Sequence, residues 1–219
     1  VIWYDDEPPA NDDAGALLAE KSALDALVQP DPLKGDRMSN RLAAVEGLAR
    51  ASRGRWMVEG WVEGPCAESA DLRGLSRLMM DFYDDPAFAR RLFGFVTEME
   101  IRFAVAQIRA GAELIGVGDA ASSLMGPAIF EEYSMDLHRR YVDAIHCAGA
   151  LARLHICGDT EALMPLVARL PYDIVDLDTR SPVSSARAAL GPERTLLGNI
   201  DTVAVVRLCS PDDVERELP

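Results

Sequence analysis

Histidine and cysteine stand two residues apart at His155 and Cys157, inside the stretch Leu151–Thr160, LARLHICGDT. The stretch reads as a short apolar strand running into a polar turn. Side chains at i and i+2 leave the same face of a strand, so imidazole and sulfur project side by side. Both are common zinc ligands. Zinc would turn a weakly acidic thiol into a thiolate, the form that attacks carbon. Gly158-Asp159-Thr160 then breaks the strand, and Asp159 or Thr160 can cap a following helix. The competing reading of the same pair is a hydrogen-bonded interior histidine beside a small buried apolar cysteine.

Further polar residues fall where other strands are expected to end. Asp119 follows the run Leu114–Gly118. It is a candidate catalytic carboxylate that orients His155 through its free ring nitrogen or contacts substrate or zinc. Its alternative is a loop-start aspartate bonding local amides. Glu63 is a candidate acidic ligand or general acid, or else a surface carboxylate flanking Gly64-Pro65. Cys66, on the same rim, is a possible third ligand or a turn cysteine. Asp178 and Asn199 are candidates for lining a pocket and hydrogen-bonding substrate. Asp201, before Thr202, reads as a helix cap. His138, His146 and Cys147 lie on a helix away from strand ends and read as packing or solvent-exposed. Cys209 has no ligand-like neighbour.

The elements that must position these residues alternate. Val1–Tyr4 reads as a strand or strand remnant, residues 15–28 as one helix in a breaker-rich segment, and Ser39–Ser52 as a helix capped by Ser39 or Asn40. Arg55–Val62 reads as a strand, Ser69–Met80 as a helix, and Pro86–Ala110 as a long helix ended by Gly111 with a buried Phe/Met stripe. Leu114–Gly118 is a strand, 120–126 a loop, and Pro127–Cys147 a helix. The HIC strand follows, then helix Glu161–Arg169, strand Ile174–Asp178, helix Ser181–Leu190, strand Thr195–Ile200 and a last helix after Ser210-Pro211. Alternating strands and helices imply a parallel α/β sheet. No Gly-rich dinucleotide turn follows the first strand. Polar residues at every strand end suit a (β/α)8 TIM barrel, which gathers those ends on one rim. Five clear strands and a possible sixth are fewer than eight, so residues 1–219 read as one partial barrel domain, an excerpt opening on Val rather than Met.

Composition supports a core-forming globular chain: of 219 residues, 49% are hydrophobic and 26% charged. A formal charge of −14 argues against nucleic acid or an anionic membrane as partner. The four cysteines lack disulfide-framework spacing, and the chain reads as a soluble, cytoplasmic protein with reduced thiols.

Several segments together resemble the uroporphyrinogen decarboxylase superfamily. They are Glu63-Gly64-Pro65 with Ala67-Glu68 and Asp71–Gly74, then Met79–Pro86 (MMDFYDDP), Gly118-Asp119, His155–Thr160 (HICGDT) and Gly198–Asp201 (GNID). The resemblance implies a (β/α)8 barrel. It also implies one of two chemistries, because the superfamily includes zinc-dependent methyltransferases that work with methylated corrinoid proteins. In that branch a His-x-Cys pair supplies two zinc ligands, matching His155 and Cys157, and a further cysteine comes from a late strand beyond this sequence. The expected activity is transfer of a methyl group from a corrinoid partner protein to a small thiol. The alternatives are metal-free decarboxylation of an acidic tetrapyrrole in porphyrin biosynthesis, for which the Arg-rich N-terminal segment of that branch is not seen, and a non-catalytic corrinoid- or tetrapyrrole-binding barrel.

Overall fold

The structure, a computed structural model, describes residues 15–34 and 36–217. The strand expected at Val1–Tyr4 lies outside the described residues. A 3-10 helix at Lys21–Ala26 takes the place of the helix expected over 15–28. Helix α1 spans Asp36–Ser52, starting earlier than the Ser39/Asn40 cap suggested. Strand β1 is Glu59–Glu63, and α2 (Pro65–Arg73) and α3 (Leu75–Asp84) follow it. These two replace the single helix read over Ser69–Met80. Gly74, with φ of 88°, separates them, because that backbone conformation is strained for any residue with a Cβ. Helix α4 is Pro86–Arg109, with Pro at its first turn and Asp85 accepting from the Phe88 amide.

Strand β2 is Leu114–Gly118. A 3-10 turn covers Ala120–Leu124, and the helix expected over 127–147 is divided into α5 (Gly126–Tyr133) and α6 (Met135–Cys147). Strand β3 is Leu151–His155. A 3-10 turn at Glu161–Leu163 leads into the one-turn α7 (Met164–Val167). Strand β4 is Ile174–Asp176, α8 is Val183–Leu190 and β5 is Thr195–Leu197. A π-helical turn at Thr202–Arg207, capped by Asp201, precedes α9 (Pro211–Glu217).

All five strands are parallel and lie in the order β1-β2-β3-β4-β5. A doubly wound sheet reverses direction part-way to cover both faces. A sheet that never reverses, with right-handed crossovers, keeps its helices on one face and curls. This is an arc of a (β/α)8 barrel. The helix-facing residues Val62, Ile115, Val117, Ala152, Leu154 and Val175 are buried. They pack on a core dominated by the α4 stripe of Phe88, Leu92, Phe93, Val96 and Phe103. The opposite face, the lumen of the arc, carries the polar residues: Glu59, Trp61 and Glu63 on β1, Arg153 and His155 on β3, Asp176 on β4.

The carboxamide of Gln107 on α4 accepts from the Trp61 amide at 3.0 Å and donates to the Trp61 carbonyl at 2.9 Å, fixing the middle of β1. Arg73 is a structural latch: its guanidinium binds Asp81 and donates to the Leu18 and Ala19 carbonyls, tying the N-terminal segment to α2 and α3.

Candidate active site

His155 ends β3 on the lumen face, and Cys157 lies just beyond it. His155 Nε2 and Cys157 Sγ are 2.9 Å apart, so the two-residue spacing does place imidazole and sulfur side by side. His155 Nδ1 is 2.8 Å from Asp176 Oδ2 on the neighbouring strand. A carboxylate only accepts, so Nδ1 carries the proton and the Nε2 lone pair faces the sulfur and the open side. Asp178 accepts from the Gly158 and Arg180 amides, 2.9 Å each, and so ties the turn after Cys157 to the turn after β4. Those amides hold its carboxyl below the usual range. A cleft of about 350 Å³ opens here, lined by Arg153, His155, Cys157, Asp176, Asp178 and Asn199 among others.

A second row lies beneath. Arg153 binds Asp176 through Nε–Oδ1 (2.8 Å) and Nη2–Oδ2 (2.7 Å), and Glu59 through Nη1 at 3.0 and 2.9 Å. Glu59 is on β1 and Arg153 on β3, so this contact crosses β2. Gly116 of β2 leaves room for it, and Gly116 and Gly118 together leave room for the Trp61 ring. A Cβ on Gly116 would fall 2.3 Å from the Trp61 ring and 2.9 Å from Glu59 Oε1, and one on Gly118 would fall 2.6 Å from the ring. The indole therefore lies across β2, with ring centroids 5.9 Å from His155, and its Nε1 donates to Glu63 Oε1 at 3.1 Å.

The structure divides the other expected residues. Glu63 faces the lumen, and partial burial raises its carboxyl pKa. Asn199 lines the cleft, its Nδ2 donating to the Ser181 carbonyl at 3.2 Å. Asp119 is elsewhere. The expectation that it orients His155 is corrected: it is fully buried behind the sheet. Its carboxylate accepts from the Cys66 and Ala67 amides at the start of α2 (2.9 and 2.8 Å) and from the Ser122 hydroxyl, and it lies 3.1 Å from His138 Nε2. The helix N-terminus, a natural anion site, claims the carboxylate. His138 Nδ1 in turn lies 2.8 Å from the Tyr172 hydroxyl, so His138 belongs to a closed, buried network rather than to the surface. Cys66 is wholly buried in the same place, and burial pushes its thiol well up, so it is not on the rim as a third ligand. Asp201 caps the following turn through the Val203 and Ala204 amides, as its position suggested.

Two side chains at the cleft, the His155 imidazole and the Cys157 thiol, are of the kind that ligates zinc. Burial, then the negative charges of Asp178, Asp176 and Glu63, raise the Cys157 pKa. Surroundings that disfavour a bare thiolate are those that favour a divalent ion, whose charge reverses the balance. The carboxylate behind the histidine is the usual support of a zinc-bound imidazole. Two donors are short of the three a catalytic zinc takes from protein. Among the described residues no group of three His, Cys, Asp or Glu side chains has metal-holding geometry.

A protein-family model described as uroporphyrinogen decarboxylase (URO-D) matches residues 12–219. The chain belongs to the URO-D family. Relatives lie on both sides of the expected division of chemistry. The chain is 26% identical over 188 residues to a methylated-thiol–coenzyme M methyltransferase of Methanosarcina mazei, covering 84% of this chain and 50% of that protein. It is 31% identical over 163 residues to a uroporphyrinogen decarboxylase of Syntrophotalea carbinolica, covering 74% of this chain and 44% of that protein. The chain thus spans about half the length of the curated relatives it matches. A solved structure, a methyltransferase from Methanosarcina mazei, superposes with a TM-score of 0.80 at 20% identity, over 89% of this chain and 58% of that one. This likeness is one of fold, and the arc described here matches 58% of that chain.

Sequence reasoning passed over Asp176, Arg153, Glu59 and Trp61. A signal was present: Arg153 in the middle of β3 and Asp176 at the end of β4 are ionisable residues of opposite sign beside apolar neighbours, and such residues need partners. Asp176 also shares the parity of Asp178, which was the residue singled out. No helix among the described residues is long and apolar enough to cross a membrane.

Proposed function

We propose that this URO-D-family chain carries the zinc-binding half of a methyltransferase, which moves a methyl group from a corrinoid partner protein to a small thiol. Residues 1–219 form one partial barrel domain in this reading. The observation that carries it is the His155–Cys157 pair, 2.9 Å apart, with Asp176 behind the ring and the cleft in front. His155 and Cys157 hold the metal, and a third ligand comes from sequence outside this chain. Bound zinc supplies a low-pKa seat for the acceptor thiol, making it a thiolate at neutral pH. Asp176 keeps the histidine proton on Nδ1 and so leaves Nε2 free to ligate. Asp178 fixes the turn that carries Cys157. Asn199 lines the cleft as a hydrogen-bonding contact for substrate, and Glu63, on the same face of the sheet, is a candidate acid whose pKa burial raises. A thiolate held there would attack the methyl carbon of the partner's corrinoid, and the electron pair of the broken bond would remain with the corrinoid.

The electrostatics support this reading over decarboxylation of a polyacidic tetrapyrrole. Arg153 is the one cation among the described residues lining the cleft, and its guanidinium is taken up by Glu59 and Asp176. A ligand with several carboxylates would meet Asp176 and Asp178 instead.

The test is metal analysis of the full-length protein beside His155→Ala and Cys157→Ala. About one zinc per chain in the parent and loss of it in both variants is the expected result. A parent that takes up no zinc after loading, or that decarboxylates uroporphyrinogen when metal-free, overturns the proposal. Tight corrinoid binding without methyl transfer identifies the non-catalytic barrel instead.

A further inference from the structure

We infer that Arg153 is a positioning residue for His155, acting through Asp176, and that Gly116 of β2 leaves the room in which it reaches its second anchor, Glu59. The inference rests on the zinc reading for its purpose, though not for its geometry.

Asp176 Oδ2 is shared: it lies 2.7 Å from Arg153 Nη2 and 2.8 Å from His155 Nδ1. A lone carboxylate at a strand end can rotate about its terminal torsion, which is soft. The paired Nε and Nη2 contacts of the guanidinium remove that freedom, because two parallel bonds define the plane of the carboxylate. With the plane fixed, Oδ2 points at Nδ1 and the Nε2 lone pair points at the Cys157 side. The guanidinium itself needs an anchor. Its remaining Nη1 is held by both oxygens of Glu59 from across β2. Arg153, Gly116 and Trp61 occupy one register row of the three strands, and the absence of a side chain at Gly116 opens that row. The Trp61 ring, 5.9 Å from the guanidinium carbon, closes the other side. Three strands thus converge on one imidazole: Glu59 of β1 holds Arg153 of β3, which holds Asp176 of β4, which holds His155. Lysine does not replace this arrangement, since a point charge cannot fix a carboxylate plane.

The test reads the metal-free, full-length protein first, at a fixed pH where the ring is neutral, by 15N chemical shifts of the His155 ring. In the parent the shifts should report the proton on Nδ1. In Arg153→Lys and in Arg153→Met/Glu59→Gln, the latter removing the charge left behind so that the lumen tolerates the change, the shifts should move toward a mixture of tautomers. Zinc affinity, by competition with a chromophoric chelator, should fall about 10- to 100-fold in both, the range for loss of a group supporting a ligand. Parent-like shifts in a folded double variant overturn the inference, and so does full rescue by lysine, since charge rather than orientation would then suffice. If the parent binds no zinc, the methyl-transfer reading fails while the ring shifts still decide the role of Arg153.

Discussion

Asp176 Oδ2 lies 2.8 Å from His155 Nδ1, and Asp119, the aspartate that sequence spacing offered for that role, lies behind the sheet at the start of α2. Two substitutions separate these positions. Asp176→Ala should weaken zinc binding by the full-length protein about 10- to 100-fold, because the ring loses its orienting acceptor. Asp119→Asn should leave zinc affinity within about twofold wherever the variant is folded, since Asp119 meets His155 only through its backbone amide, which donates to the His155 carbonyl and is kept in the variant. Chelator competition on both proteins checks the pair of outcomes.

Asp119 should instead carry a large share of stability. Its carboxylate receives two amides, a hydroxyl and a histidine in a fully buried site. Asp119→Ala leaves those donors unpaired and is expected to cost on the order of 3 kcal/mol in denaturant unfolding. His138→Phe should cost less. The double variant should cost less than the sum, because the two residues are bonded to each other.

Gly116→Ala tests the crowded lumen. The new methyl group would sit 2.3 Å from the Trp61 ring, so the indole or the strand must move. A loss of about 1–3 kcal/mol is expected, together with a shift in tryptophan emission. Combining it with Trp61→Ala should recover part of that loss, measured as a coupling of about 1 kcal/mol.

One buried and one half-buried carboxylate make stability depend on pH. Glu100 is 5% exposed, and burial, reinforced by the charge of Glu68, raises its pKa from 4.5 to about 8. Burial with the charges of Asp71 and Glu63 raises Glu68 to about 7. The native state therefore holds protons that the unfolded chain releases near pH 4.5. The stabilisation is whole below about pH 4.5 and is lost as pH rises to about 8. Glu100→Gln should flatten that decline, gaining on the order of 2 kcal/mol over the parent at pH 8 relative to pH 5. Chemical unfolding curves across pH 5–8 check it, and parallel curves for the two proteins would count against it.

Metal removal gives an independent reading of the proposed site. With free zinc at about 100 times its dissociation constant, the native state gains about 2.7 kcal/mol. A chelator should lower the melting temperature of the parent and leave that of Cys157→Ala unchanged.

The barrel arc was legible in the sequence because its signals are local. Alternating strands and helices, proline at the start of α4, and polar residues at strand ends each reflect a neighbour or a short period. The internal breaks were less so. Pro65–Asp84 divides at Gly74, whose positive φ ends α2, and Gly126–Cys147 divides at Ser134; helical periodicity alone marks neither break.

The sequence by itself determined that His155 and Cys157 share a face, since strand geometry fixes the direction of residues two apart. It also determined the family, through motifs spread along most of the chain. Only the tertiary structure decided what stands behind the histidine. Asp119 and Asp176 follow the same composition logic, yet one is drawn to a helix N-terminus and the other is turned into the lumen by Arg153. Which carboxylate meets the ring depends on strand register and on the empty glycine row of β2. Those are relations between residues 21 to 94 positions apart, and no local pattern encodes them.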